Sequence, residues 1–117
     1  RKNMAYGTRA QFDNVREVAF GGISGTYAVV GGPLTDHARV VIFTNSTNAE
    51  VYISDDGVNN KFRMAANSFK LIDFSTNKIR DDGLFVAIGT QFYVKQVSGA
   101  PGSGGVWIEV ISAAGGV

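Results

Sequence analysis

Residues 39–73 read RVVIFTNSTNAEVYISDDGVNNKFRMAANSFKLID, and this stretch decides the fold class. Short runs rich in β-branched and aromatic residues alternate here with turns rich in Asn, Asp and Gly. The runs are residues 40–43, 51–53, 62–64 and 69–72. This spacing predicts four short strands in an antiparallel meander and argues against a βαβ unit.

The same pattern continues on both sides of this stretch. Further strand-like runs occupy residues 15–20, 26–30, 84–88, 91–97 and 106–111, and glycine-rich turns separate several of them. Eight or nine short strands without a convincing helix predict an all-β protein. We expect an antiparallel β-sandwich or jelly roll of about eight strands, with a small barrel as the alternative. The predicted organisation is an extended N-terminal arm (1–14), a sandwich domain (15–112) and a C-terminal tail (113–117).

Composition narrows the classes of function. The 117 residues fit one domain, and the formal net charge of +1 gives no argument for binding nucleic acid or a membrane surface. No apolar run approaches the roughly 20 residues that a membrane-spanning helix needs. The absence of cysteine excludes thiolate metal sites and a cysteine nucleophile. Charged residues make up only 18% of the chain. Such a low fraction is typical of a protein whose surface is covered by a partner, or of a compact β-sandwich.

The sequence shows no reaction centre. His37 is the only histidine, and no serine lies in a Gly-x-Ser-x-Gly elbow. Two acidic pairs, at residues 55–56 and 81–82, are interpreted as turn residues that cap backbone N–H groups. We therefore expect a non-enzymatic protein without catalytic residues, cofactor or metal.

Three aromatic residues are candidates for contact with a partner. Tyr52, Tyr93 and Trp107 each alternate with an apolar set, so each lies on the opposite face of its predicted strand. Tyrosine and tryptophan are enriched at interfaces, which favours the core or a subunit interface. The alternative is a platform on which sugars stack, with the two acidic pairs binding hydroxyl groups.

Part of the chain resembles small accessory structural proteins of tailed-bacteriophage virions. The resemblance is carried by TNSTNAEVYISDDGVNNKF (44–62), AANSFKLID (65–73), GTQFYVKQ (89–96) and VWIEV (106–110). It implies a β-sandwich that works as a capsid decoration, collar or tail part. It also implies a virion location, symmetric copies and other virion proteins (capsid, portal or tail) as partners. No catalytic residue is implied.

The termini are candidate assembly arms in such a particle. In the N-terminal arm the residues of interest are Arg1, Lys2, Tyr6, Arg9 and Phe12. A rigid body would set the geometry while an arm binds a neighbouring copy and raises the effective concentration. The hypothesis predicts that deletion of residues 1–12 leaves the fold intact and weakens assembly.

Overall fold

The computed structural model describes residues 9–73 and 86–114. These residues form a β-sandwich of two antiparallel sheets, which confirms the predicted fold class. The only helical element among them is a 3-10 turn, Phe20–Gly22, so no described helix has the length and apolar character to cross a membrane. The strands are β1 (Arg9–Phe12), β2 (Arg16–Ala19), β3 (Ala28–Val29), β4 (Ala38–Asn45), β5 (Val51–Ser54), β6 (Phe62–Met64), β7 (Ser68–Asp73), β8 (Tyr93–Gln96) and β9 (Gly105–Ala114).

The long strand β9 organises the larger sheet. The order is β1-β9-β4-β7, and β2 also pairs with β9. β1 pairs with residues 111–114 of β9 and β2 with residues 105–108, so the two short strands follow one another along β9. The smaller sheet has the order β3-β8-β5-β6.

The predicted meander over residues 39–73 is wrong. β4 and β7 pair with each other in the larger sheet, whereas β5 and β6 form a hairpin in the smaller sheet. The chain therefore crosses between the sheets after β4 and crosses back after β6. Local strand and turn signals are the same for a meander and for this arrangement, because they specify a change of direction and not the sheet that is entered.

A single buried side chain joins the two crossings. Asn45 ends β4 and is fully buried, and its Nδ2 atom donates to the carbonyl oxygens of Ala49 (3.0 Å) and Ala65 (2.9 Å). Ala49 lies in the first crossing and Ala65 in the second. The buried Asn45 amide needs such partners, since an unsatisfied polar group in the interior is costly.

The core lies between the two sheets and uses one face of each strand. Its largest fully buried apolar side chains are Phe43, Ile53 and Ile108, and Phe43 contacts Phe92 edge-on at a centroid distance of 5.3 Å. Both central strands of the larger sheet follow a period-2 pattern, so alternate residues of β4 and β9 point outward.

The predicted arm and tail are adjacent in the structure. Arg9–Phe12 of the arm form β1, which pairs with the end of β9, including residues 113 and 114 of the predicted tail. Residues 1–8, with Arg1, Lys2 and Tyr6, lie outside the described residues. The acidic pair at 81–82 and the first two residues of the predicted strand at 84–88 also lie outside the described residues.

Candidate functional site

The three predicted aromatic residues lie on two different sheets. Tyr52 is on β5 and Tyr93 on β8, which are neighbours in the smaller sheet. Trp107 is on β9 in the larger sheet, opposite Thr44 of β4 and Glu17 of β2. The structure therefore brings Tyr52 and Tyr93 together and separates Trp107 from them. No single platform can include all three.

A third tyrosine and a lysine complete the outer surface of the smaller sheet. Lys95 lies opposite Tyr52 in the β5–β8 register, and its Nζ atom is 6.0 Å from the Tyr52 ring centroid and 4.9 Å from that of Tyr27. Both distances are within the range of cation–π attraction. Tyr27 and Tyr93 contact each other edge-on, with a centroid separation of 6.5 Å and an interplanar angle of 77°. We name Tyr27, Tyr52, Tyr93 and Lys95 the tyrosine face.

The sequence analysis missed Tyr27 and Lys95. Tyr27 lies just before β3, and β3 pairs with β8 through Ala28 and Val94, which places Tyr27 beside Lys95. Alternation alone marked Tyr52 and Tyr93, whereas these two neighbours depend on the strand order.

Tyr27 also connects the tyrosine face to the β5–β6 loop. Its hydroxyl donates to Asn60 in that loop. Burial is the main cause that raises the pKa of Tyr27 above its ordinary value, and the nearby Asp56 and Tyr52 add to it. The loop and the sheet surface are therefore one continuous region of the molecule.

The β5–β6 loop is rigidified by Asp56. Its Oδ1 atom accepts from the backbone N–H groups of Val58 and Asn59, both at 2.8 Å, and from the Ser54 hydroxyl at 2.7 Å. These hydrogen bonds, those from the backbone first, hold the pKa of Asp56 far below its ordinary value of 3.8. The structure thus confirms the interpretation of this acid as a turn cap.

The other acid of this pair is also engaged. The Asp55 carboxylate pairs with the Lys61 ammonium at 2.7 Å. Both carboxylates of the loop already have partners within it.

The outer surface of the larger sheet is unusually apolar. Phe69 and Leu71 on β7 are 71% and 54% exposed. In the β4–β7 register they lie opposite Thr44 and Ile42. In the β1–β9 register Phe12 lies opposite Ile111 and is 78% exposed. We name six outward apolar residues of this sheet the apolar face: Phe12, Ile42, Phe69, Leu71, Trp107 and Ile111.

A depression interrupts the apolar face at the gap between the end of β1 and the start of β2. It has a volume of about 260 Å³ and is lined by Phe12, Ile42 and Glu109 among others. The N–H of Asp13 donates to the carbonyl of Val110 at 3.0 Å, so the chain stays attached to β9 across the break.

A second cavity, of about 370 Å³, continues the core between the sheets. Its polar lining residues are Ser54, Asp55 and Lys61. Because these side chains already bind one another or Asp56, the described lining of the cavity presents no free polar group to a ligand.

None of the described residues form a group of three or more His, Asp or Glu side chains that could hold a metal ion. His37 is exposed in the loop before β4, and its Nδ1 atom accepts from the N–H of Ile88 at 2.9 Å.

Comparison of the chain with protein-family models, with curated proteins and with solved structures found no match. The geometry of the two outer faces is therefore the basis for assigning a function.

Proposed function

We propose that this chain is a non-enzymatic structural subunit of a bacteriophage virion that assembles in symmetric copies on the capsid, collar or tail. The apolar face is the observation that supports assembly of the chain in several copies. The virion part is supported by the resemblance of residues 44–62, 65–73, 89–96 and 106–110 to phage accessory proteins.

Exposed apolar area of this kind favours association. Scattered surface hydrophobes are ordinary, but large contiguous apolar patches mark interaction sites. Here the exposed residues share one sheet surface, because Leu71 lies opposite Ile42, and Ile42 lies opposite Glu109 on β9. β9 in turn carries Trp107 and Ile111 on the same side. A rigid sheet presents these side chains at fixed positions, as repeated contacts between copies require.

The test is the native mass of the protein by light scattering over a concentration series. We expect a discrete oligomer that dissociates on dilution, and we expect Phe69→Thr to weaken it at least tenfold. Threonine keeps the preference for a strand while removing the ring. Ile88→Thr is the matched control: Ile88 is 54% exposed but lies outside both named faces, in a loop where its N–H group donates to His37. A wild-type protein that stays monomeric at every concentration and with its candidate virion partners would refute the proposal.

A carbohydrate-binding module is the second candidate function. The observation in its favour is the half-exposed group of Tyr27, Tyr52 and Tyr93 beside the loop that carries Asp55 and Asp56. The edge-on contact between Tyr27 and Tyr93 gives no flat stacking surface, which makes this function the weaker one. A glycan-binding screen of the wild type against Tyr52→Ala distinguishes the two. Loss of a bound glycan in Tyr52→Ala, with assembly unchanged, would favour the module.

A further inference from the structure

The apolar face carries negative charge without an opposite partner. Glu109 is exposed at the depression beside Phe12 and Ile42. None of the ion pairs seen among the described residues involves it. Glu17, on the neighbouring strand β2, lies opposite Trp107 and is also exposed. A partner that covers this face must therefore supply a cation.

The tyrosine face carries positive charge without an opposite partner. Lys95 contacts the rings of Tyr27 and Tyr52 and has no carboxylate within ion-pair distance in the same described part of the chain. By contrast, the neighbouring Arg63 is paired with Glu50 at 2.8 Å. A partner that covers the tyrosine face must therefore supply an anion.

Like charges disfavour packing of either face against its own copy. A two-fold interface between two apolar faces would place the Glu109 and Glu17 carboxylates of both copies on one contact surface, and this like-charge arrangement is unfavourable. A two-fold interface between two tyrosine faces would do the same with Lys95. Opposite charges meet only when different faces of two copies pack together.

We infer that copies associate head-to-tail, with the apolar face of one copy against the tyrosine face of the next and Glu109 paired with Lys95 across the contact. This inference rests on the proposed function and names the partner surface. The tyrosine rings supply apolar area with polar edges to cover Phe12, Ile42 and Trp107. The depression of about 260 Å³ at Glu109 has room for an inserted side chain.

Head-to-tail contact has a consequence for the assembly. Because each copy uses two different surfaces, association does not stop at a dimer: it closes into a ring if the rotation between copies permits, and otherwise gives an open filament. A closed two-fold dimer is not compatible with this geometry.

Charge reversal tests the inference, with association measured by light scattering and sedimentation velocity. We expect Lys95→Glu and Glu109→Lys each to weaken self-association at least tenfold, since each variant carries the same charge on both faces. Asp36→Lys, an equally large change of charge in an exposed loop outside both faces, is the control and should associate as the wild type does.

Recombining the two reversals should restore the contact. In an equimolar mixture of the two variants, the acidic side chain introduced at position 95 of one variant faces the basic side chain introduced at position 109 of the other. At the next contact, the unchanged Lys95 of the Glu109→Lys variant faces the unchanged Glu109 of the Lys95→Glu variant. The mixture should therefore regain association. The variant that carries both substitutions should also regain it, because the two charges have only exchanged faces.

The outcomes separate this inference from the proposed function. A wild type that never associates refutes both. A wild type that forms a closed dimer, or one whose association survives both single reversals, overturns the head-to-tail contact and leaves the structural role standing. Failure of both the mixture and the double variant to recover also overturns it, provided that their circular dichroism and thermal melts match the wild type. If a charge-reversal variant does not fold, the neutral variants Lys95→Gln and Glu109→Gln replace it. The inference then requires that each neutral variant associate more weakly than the wild type, and that its association depend less on salt concentration.

Discussion

The Oδ1 atom of Asn45 accepts hydrogen bonds from both the backbone N–H (3.0 Å) and the hydroxyl (2.6 Å) of Thr47. With the two carbonyls that its Nδ2 atom binds, the Asn45 side chain makes four hydrogen bonds, and both residues are completely buried. They lie where the chain leaves the larger sheet for the smaller one. This pair therefore holds together the two crossings that define the sandwich.

Replacement of Asn45 by alanine should destabilise the protein strongly. The change removes four hydrogen bonds and leaves the buried N–H of Thr47 without its partner, although the carbonyls of Ala49 and Ala65 keep the hydroxyls of Thr47 and Ser68. We expect a loss of about 3 kcal/mol in the free energy of unfolding. Asn48→Ala is the matched control, since Asn48 is exposed and accepts one hydrogen bond, from Gly102. We expect that variant to lose about 1 kcal/mol or less. Urea unfolding measures both, and equal losses would contradict the role given to Asn45.

Arg16 should not tolerate lysine. Its buried guanidinium donates to the carbonyl oxygens of Gly32 (2.8 Å) and Pro33 (3.0 Å) and pairs with Asp13 at 3.1 Å. Lysine keeps the charge but lacks the fork that reaches several acceptors at once. We expect Arg16→Lys to lose about 2 kcal/mol of stability.

The exposed Arg63 provides the comparison for Arg16. Its ion pair with Glu50 is solvent-accessible, so Arg63→Lys should change stability much less than Arg16→Lys does. Thermal and urea unfolding of the two variants, side by side, measure the difference. If Arg16→Lys proves as stable as Arg63→Lys, the fork of hydrogen bonds to residues 32 and 33 is not stabilising.

Asp56 should make stability depend on acid pH. Hydrogen bonds to the charged carboxylate depress its pKa in the folded state below 3.8. The charged carboxylate therefore adds to the free energy of unfolding above pH 3.8, and this stabilisation is lost as the pH falls toward the pKa of the folded state. We expect the Asp56→Asn variant to be less stable than the wild type at pH 7 and the difference to shrink as the pH falls below about 4.

Urea unfolding at three pH values checks this expectation. The values are neutral pH, a pH near the ordinary carboxyl pKa, and a pH well below that pKa. Val58→Thr, an uncharged change in the same loop, should keep the pH dependence of the wild type. A stability difference between Asp56→Asn and the wild type that is equal at all these pH values would show that the loop hydrogen bonds do not favour the charged carboxylate.

Deletion of residues 1–12 should separate folding from assembly. It removes β1 and with it Phe12 from the apolar face, but it leaves the core between the sheets complete. We expect a folded protein with a modestly lower melting temperature and weaker association. Phe12→Ser, which keeps β1, should reproduce most of the loss of association. A deletion variant that assembles as the wild type does would show that β1 is not part of the contact.

Local features were predictable because they depend on residues close together in the chain. Alternation located most of the strands, and the Asp-Asp-Gly sequence indicated the cap that Asp56 provides within its own loop. The period of a strand placed Tyr52 and Tyr93 on the face opposite an apolar set, but it left open whether that face lies in the core, at an interface or on a free surface. The contacts of Tyr27 with Lys95 and of Asn45 with Ala65 could not be found in this way, since they join positions far apart in sequence.

The residues alone were enough to predict that the chain is all-β, where its turns lie and which side chains share a face of each strand. The sheet that each strand joins, and the face that points inward, became known only from the fold. On β7 the alternation is equally consistent with Phe69 and Leu71 inside or outside, and the pairing of β7 with β4 places them outside. The physical reason is that strand pairing and burial depend on long-range packing, which a period of two residues does not specify.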